Sequence, residues 1–300
     1  MSSSRRTLLG SVGAALTGLA GCLDAVDDGS TDTATPTPTP VTPAMTDAAL
    51  GESVDVDDVT VTVSEFRAPY AIRYLSAPDA FGVTAADDGR FVVVQVSAAG
   101  GDTPPAPDAF SLVVDGTAYE SGIEAVGPAR IDAPATGRAY GGATRRGYLG
   151  FRVPAPLDAT DVAIHLADAA RWTVPPSTLA ALRSPPPSFT TTVSVPDSVA
   201  ADEAVPVRLD VTNEGDGGGV FRGALNHQGP LYAADAFTFS LPSGESTTHE
   251  LGVDYYRGSD SPPERVQFGV VGPGLSESFE VRIEGGGTPG GTATEAGDSA

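Results

Sequence analysis

The chain is 300 residues long and carries 39 Asp and Glu against 17 basic residues, all of them Arg, for a formal net charge of −22. Charge this one-sided repels a nucleic-acid backbone and an anionic bilayer face, and it destabilises the compact state unless salt screens it. A single Cys excludes an intrachain disulfide framework, so the fold is expected to stand on its own core.

The chain begins with a short basic stretch containing Arg5 and Arg6, followed by a Gly/Ala-rich apolar run over residues 8–20 and then Gly21 and Cys22. That run is too short to span roughly 30 Å of hydrocarbon with margin, and it reads as a targeting segment. Paired Arg followed by Leu8 and Leu9 resembles the twin-arginine signal, which implies export of an already folded chain. Leu19-Ala20-Gly21-Cys22 resembles a lipobox, which implies that Cys22 becomes the lipidated first residue of the mature protein. A thiol can be alkylated to a thioether, and small residues before it leave the backbone open to a peptidase. An anchor of this kind, helped by a second acyl chain or a longer lipid, holds a protein at the outer face of the cytoplasmic membrane without a transmembrane helix. The acid excess, the absence of Lys and the abundance of Ala, Gly, Asp and Thr resemble the proteins of extreme halophiles, above all salt-loving archaea.

Residues 23–49 contain alternating Thr and Pro and few apolar groups, the composition of a disordered stalk whose Thr can carry O-glycans. Residues 285–300 form a polar Gly/Thr tail. Between them, the Pro185-Pro186-Pro187 run suits neither a helix interior nor a central strand, so residues 183–188 are expected to link two domains, 50–182 and 189–284.

Strand signals dominate the first of these. Residues 53–63 alternate polar and apolar with one break in phase at Asp57-Asp58, residues 90–97 (RFVVVQVS) suit a central strand, and residues 109–119 contain the turn pair Asp115-Gly116. Further strands are expected at 147–153, 162–166 and 171–174, with one helical turn at 179–182. Residues 68–85 and 121–145 read as irregular, and a binding loop is expected there. Asp87-Asp88-Gly89-Arg90-Phe91-Val92-Val93-Val94 and Gly147-Tyr148-Leu149-Gly150-Phe151-Arg152-Val153-Pro154 resemble the immunoglobulin-like domain of small telokin-like secreted lipoproteins.

The second domain offers seven short β-prone segments, at 190–195, 204–211, 219–226, 236–241, 247–253, 265–271 and 278–283, the number an immunoglobulin-like sandwich needs. Val207-Arg208-Leu209-Asp210-Val211-Thr212-Asn213-Glu214-Gly215, with the later Leu241-Pro242-Ser243-Gly244-Glu245, resembles the adhesion-type (CARDB-like) module of bacterial and archaeal surface proteins. In that family the Asn-x-Gly turn closes a strand of inward-facing apolar residues. The fold class expected is therefore all-β, two immunoglobulin-like β-sandwich domains in tandem.

Chemistry-bearing motifs are sparse. His165, His227 and His249 are scattered, and none has a second His or Cys at ligand spacing, which disfavours zinc and copper. His227 is expected in a turn. No Gly-x-Ser-x-Gly elbow occurs, and the run Gly215-Asp216-Gly217-Gly218-Gly219 lacks the Lys and the following helix of a nucleotide loop. Asp87 with Asp88, and Asp210 with Glu214 and Asp216, are hard oxygen ligands near turns, yet 39 acids produce such groupings by composition alone. No metal, cofactor or catalytic residue is expected. Trp172 is expected in the core or at the domain junction, and Tyr255, Tyr256 and Arg257 form the surface-contact candidate. The reading that results is a non-enzymatic, lipid-anchored surface protein making protein or glycan contacts in the envelope. The alternatives are a solute-binding lipoprotein of a transport system, which normally needs two α/β lobes, and a secreted hydrolase.

Overall fold

In the computed structural model of the chain the described residues are 44–135, 137–228, 233–255 and 263–285. They form an all-β fold whose sheets make up two roughly separable multi-strand regions, each sandwich-like, within one compact unit from Pro43 onward. The first region contains β1 (Thr46–Ala49), β2 (Ser53–Val56), β3 (Val59–Arg67), β4 (Ala71–Ala77), β5 (Ala80–Ala85) and β6 (Gly89–Gly100). It continues with β7 (Phe110–Val114), β8 (Thr117–Glu120), β9 (Ile131–Ala133), β10 (Arg146–Pro154), β11 (Val162–Leu166) and β12 (Ala170–Thr173). A one-turn helix, α1 (Ala180–Arg183), precedes the prolines. The second region comprises β13 (Phe189–Ser194), β14 (Ser198–Ala200), β15 (Val205–Asn213), β16 (Gly219–Gln228), β17 (Ala233–Leu241), β18 (Ser246–Val253), β19 (Arg265–Gly272) and β20 (Leu275–Glu284).

In the first region a five-stranded sheet, β1-β12-β11-β7-β8, faces a four-stranded one, β10-β6-β3-β2. Between them lies a core that includes Val61, Val63, Val92, Val94, Leu112, Phe151, Ile164 and Trp172. Trp172 is fully buried, and its indole N–H donates to the Glu52 carbonyl at 3.0 Å, so the polar edge of the ring is satisfied inside the core. The break in phase at Asp57-Asp58 is a hairpin turn, with Asp57 at φ 54°, and β2 folds back on β3 there. Asp115 and Gly116, at φ 45° and 83°, make the tight turn between β7 and β8.

The unbroken apolar run of β6 has a structural cause, because both its faces are covered. Val92, Val94 and Val96 point into the sandwich, while Phe91 and Val93 join Ile72, Ile131, Val126 and Tyr148 in a second, smaller core on the outer face. That outer core sits under a third sheet, β5-β4-β9, built from stretches expected to be irregular. The stalk boundary also moves, since β1 falls inside residues expected to be disordered and pairs in parallel with β12.

In the second region the three-stranded sheet β13-β15-β18 faces β14-β20-β19-β16-β17. Alternation along β15 turns Val205, Val207, Leu209, Val211 and finally Asn213 inward, so a polar amide ends an apolar row and is itself fully buried. One strand escaped the sequence reading: β14, three residues long, pairs in parallel with β20. His227 lies within β16 rather than in a turn.

Candidate functional site

The junction between the two regions holds the densest polar construction in the described chain. β4 carries Arg73 on the face it shares with Ala71, opposite Ile72, which enters the outer core of the first region. The Arg73 guanidinium forms an ion pair with Asp132 just after the start of β9 (2.6 Å from Nη2, 2.8 Å from Nε) and crosses to the second region. There Nη1 donates to the carbonyls of Gly223 (3.0 Å) and Phe237 (2.8 Å). The guanidinium also lies 5.5 Å from the centroid of the Phe81 ring. Beside it, the Asn226 side chain behaves as a strand surrogate: its Oδ1 accepts from the Phe81 N–H and its Nδ2 donates to the Phe81 carbonyl, both at 2.9 Å.

Asn213 closes the other end of the junction. Its Oδ1 accepts from the N–H groups of Ser188 and Gly215, both at 3.1 Å, and its Nδ2 faces three carbonyls: Gly217 (2.9 Å), Leu241 and Pro242 (both 3.1 Å). The Pro185–Pro187 run lies against the glycine-rich turn before β16. A Cβ on Gly217 would overlap the Pro185 carbonyl, so the glycines serve close backbone packing of the linker. Gly217→Ala is expected to destabilise the protein by about 1–3 kcal/mol through that clash; a thermal melt unchanged from the wild type would refute the fit. An edge-to-face contact between Tyr70 and Phe189, 6.0 Å between centroids, adds apolar continuity across the seam.

Two open clefts flank this seam and share Tyr70. The acidic one, about 530 Å³, is lined by Asp87, Asp88 and Asp216 together with the prolines. Asp87 and Asp88 sit in the β5–β6 turn. Burial, then the nearby Asp87 and Asp88 carboxylates, push the Tyr70 phenol above its usual pKa. The basic cleft, about 270 Å³, is lined by Arg67, Arg90 and Arg222. Two larger open clefts belong to the first region alone; one, about 620 Å³, is lined by Arg130, Arg138 and Tyr140, and the other, about 700 Å³, by Asp87, Glu124 and Arg152.

Of the residues singled out from the sequence, Arg5, Arg6, Cys22, Tyr256 and Arg257 lie outside the described residues. Tyr255 is half-buried against the second core, and its hydroxyl donates to the Ala200 carbonyl at 3.2 Å. His165 faces away from Ile164 on β11; burial, then Arg171, push its imidazole pKa down. His227 Nε2 lies 2.7 Å from Asp235 on the neighbouring strand, and His249 packs between the rings of Phe237 and Phe239. Asp210 is tied to Arg208 and Thr248 rather than grouped with Glu214 or Asp216. Among the described residues no set of three or more metal-ligating side chains converges on one point. No helix among them is long and apolar enough to cross a membrane.

Sequence reasoning missed Arg73, Arg90, Arg222, Asn226 and the hub role of Asn213. A usable signal existed: in Ala71-Ile72-Arg73 and Val220-Phe221-Arg222 a charge interrupts apolar strand sequence, which asks for a buried partner.

No protein-family model matches the chain, and no curated protein does. Among solved structures it is similar to a β-glucosidase mutant from Listeria innocua in complex with laminaribiose, at 17% identity, covering 34% of this chain and 17% of that one, TM-score 0.27. A β-glucosidase from Streptomyces venezuelae in complex with D-glucose gives 10% identity over 78% of this chain and 46% of that one, TM-score 0.25. An uncharacterized β-sandwich protein from Clostridium difficile 630 gives 11% identity over 46% of this chain and all of that one, TM-score 0.29. The chain thus spans less than half the length of either glucosidase, and at these TM-scores the likenesses carry no argument about activity or substrate. The expectation that the chain is not an enzyme rested on residue types alone and does not stand, because Asp87 and Asp88 from one region and Asp216 from the other line one cleft.

Proposed function

We propose that the chain is a binding protein of the cell surface, exported through its Arg5-Arg6 signal and tethered by a lipid on Cys22. Its two sandwich-like regions present the clefts at their junction to a glycan or protein partner. The observation that carries this reading is the fused junction. Arg73 and Asn226 span it with hydrogen bonds and Asn213 ties the end of the proline linker to the second region, so a ligand touching both regions meets a preorganised surface and binding costs little ordering entropy. Both regions are read as immunoglobulin-like, the second as an adhesion-type module. In support, the second region splits into β13-β15-β18 against a five-stranded sheet, and each region adds a short strand in parallel to its last one. The acid excess supports a halophilic source.

Mass analysis of protein extracted from native membranes is expected to find a mature chain that begins at Cys22 with its sulfur in a thioether. Cys22→Ala is expected to move the protein from the membrane fraction to the medium. An unmodified Cys22, or a different first residue, defeats the tether.

A hydrolytic reading is favoured by one further observation: Asp87 and Asp88 from one region and Asp216 from the other line the same cleft. Carboxylates facing each other across a cleft are the groups that glycoside hydrolysis uses as acid, base or nucleophile. With chromogenic glycosides, this reading requires turnover that Asp216→Asn lowers by about a hundredfold or more. Turnover indifferent to that change, or none, removes it.

A further inference from the structure

The basic cleft at the junction gathers three arginines, two of which no acid among the described residues neutralises. Arg67 ends β3, Arg90 opens β6 and Arg222 lies in β16, so the pocket exists only where the two regions meet. In a chain with 39 acids, neither Arg90 nor Arg222 forms an ion pair among the described residues. Arg67 reaches only the exposed Glu65, at 3.7 Å.

Arg90 is 6% exposed, and its guanidinium contacts are backbone carbonyls alone: Ala68 and Ser184 at 3.4 Å and Pro185 at 3.1 Å. Arg222 has a single bond, to the Ala71 carbonyl at 3.4 Å. These are long for charge-assisted bonds, and each guanidinium has five N–H donors to place. The Nε of each is occluded and unpartnered, the state of a group held by packing rather than by acceptors. Burial lowers the pKa of both, and Arg73 adds like-charge repulsion on Arg222. Burying cations without counter-charge is costly, and the missing counter-charge fits the pocket they line.

We infer that this pocket binds an oxyanion, a sulfate, phosphate or carboxylate group held between Arg67, Arg90 and Arg222. At about 270 Å³ it has room for the charged group itself and not for a large ligand. The same chemistry serves a free inorganic ion or the acidic substituent of a sugar presented at the surface. The inference goes beyond the proposed function and is separable from it, because a chain without lipid on Cys22 would still take up the ion, and a failure to bind any oxyanion would leave the tether untouched.

The test is calorimetric titration of the full chain with sodium sulfate, sodium phosphate and sodium glucuronate, each at constant ionic strength set by sodium chloride. Saturable binding of at least one probe is expected, weakened about tenfold or more by Arg222→Gln and left within about twofold by Arg146→Gln, which removes an exposed charge elsewhere. Tighter binding of glucuronate than of sulfate would assign the site to a sugar substituent, and the reverse to a free ion. If Arg222→Gln fails to fold, Arg67→Gln, at a half-exposed position, takes its place with the same expected loss. The inference is overturned if none of the three probes saturates, or if the Arg222→Gln and Arg146→Gln variants bind as the wild type does.

Discussion

Asn213→Ala is expected to cost about 4 kcal/mol of folding stability, because a truncated side chain strips the buried Gly217 and Leu241 carbonyls of their donor and takes a partner from three further, partly buried backbone groups. The Asn213 side chain, Gly217 and Leu241 are buried, so water does not readily take over the bonds to those two carbonyls. Asn213→Asp sharpens the test: it keeps the shape and the acceptor facing Ser188 and Gly215 but turns an oxygen toward three carbonyl oxygens, and it is expected to destabilise at least as strongly. Denaturant unfolding measured in parallel by circular dichroism and by the fluorescence of Trp172, the only Trp, distinguishes the region that fails. Trp172 belongs to the first core and Asn213 to the second region, so a fused junction predicts that both signals shift together. A circular-dichroism transition that moves alone would mean the regions unfold independently.

Arg73→Ala is expected to cost about 3 kcal/mol and to loosen the seam between the regions. The cost of removing one partner of a buried pair is commonly about 3–5 kcal/mol, and the lower end applies because Asp132 is one-third exposed. The loss also strips the Gly223 and Phe237 carbonyls of their charged donor. Arg73→Lys should recover only part of the stability, since one ammonium cannot reproduce a planar fork that serves Asp132 and two carbonyls at once. Limited proteolysis supplies the second readout: cleavage near residues 184–188 should accelerate in Arg73→Ala and stay slow in the wild type. Equal cleavage rates would place the strength of the junction elsewhere.

What local sequence exposes is local chemistry. The β7–β8 turn announces itself through Asp115-Gly116, β15 through strict alternation, and β6 through an apolar run that only a doubly covered strand can bury. By contrast β1, β9 and β14 span three or four residues each and are stabilised by pairing with distant strands, so they leave no periodic trace. The sheet β5-β4-β9 was hidden for the same reason: its hairpin carries little alternation, and Arg73 in its middle reads as a surface charge until the second region is folded against it. The junction was the least legible part. Arg73 and its acceptors are 59 to 165 residues apart, and no window of sequence brings them together. Asn213 was visible as a turn residue, but its hold on the proline run was not.

The fit of Pro185–Pro187 into the glycine-lined turn bears on how this chain can be cut and recombined. A fragment starting at residue 189 would carry a trough with nothing lying in it, along with an Asn226 amide facing water in place of Phe81. A fragment ending at residue 183 would expose the cationic side of the same seam. Neither half is a cassette that could be grafted onto another protein unchanged, and any shuffling of these modules would have to carry the proline strap and its glycine bed together.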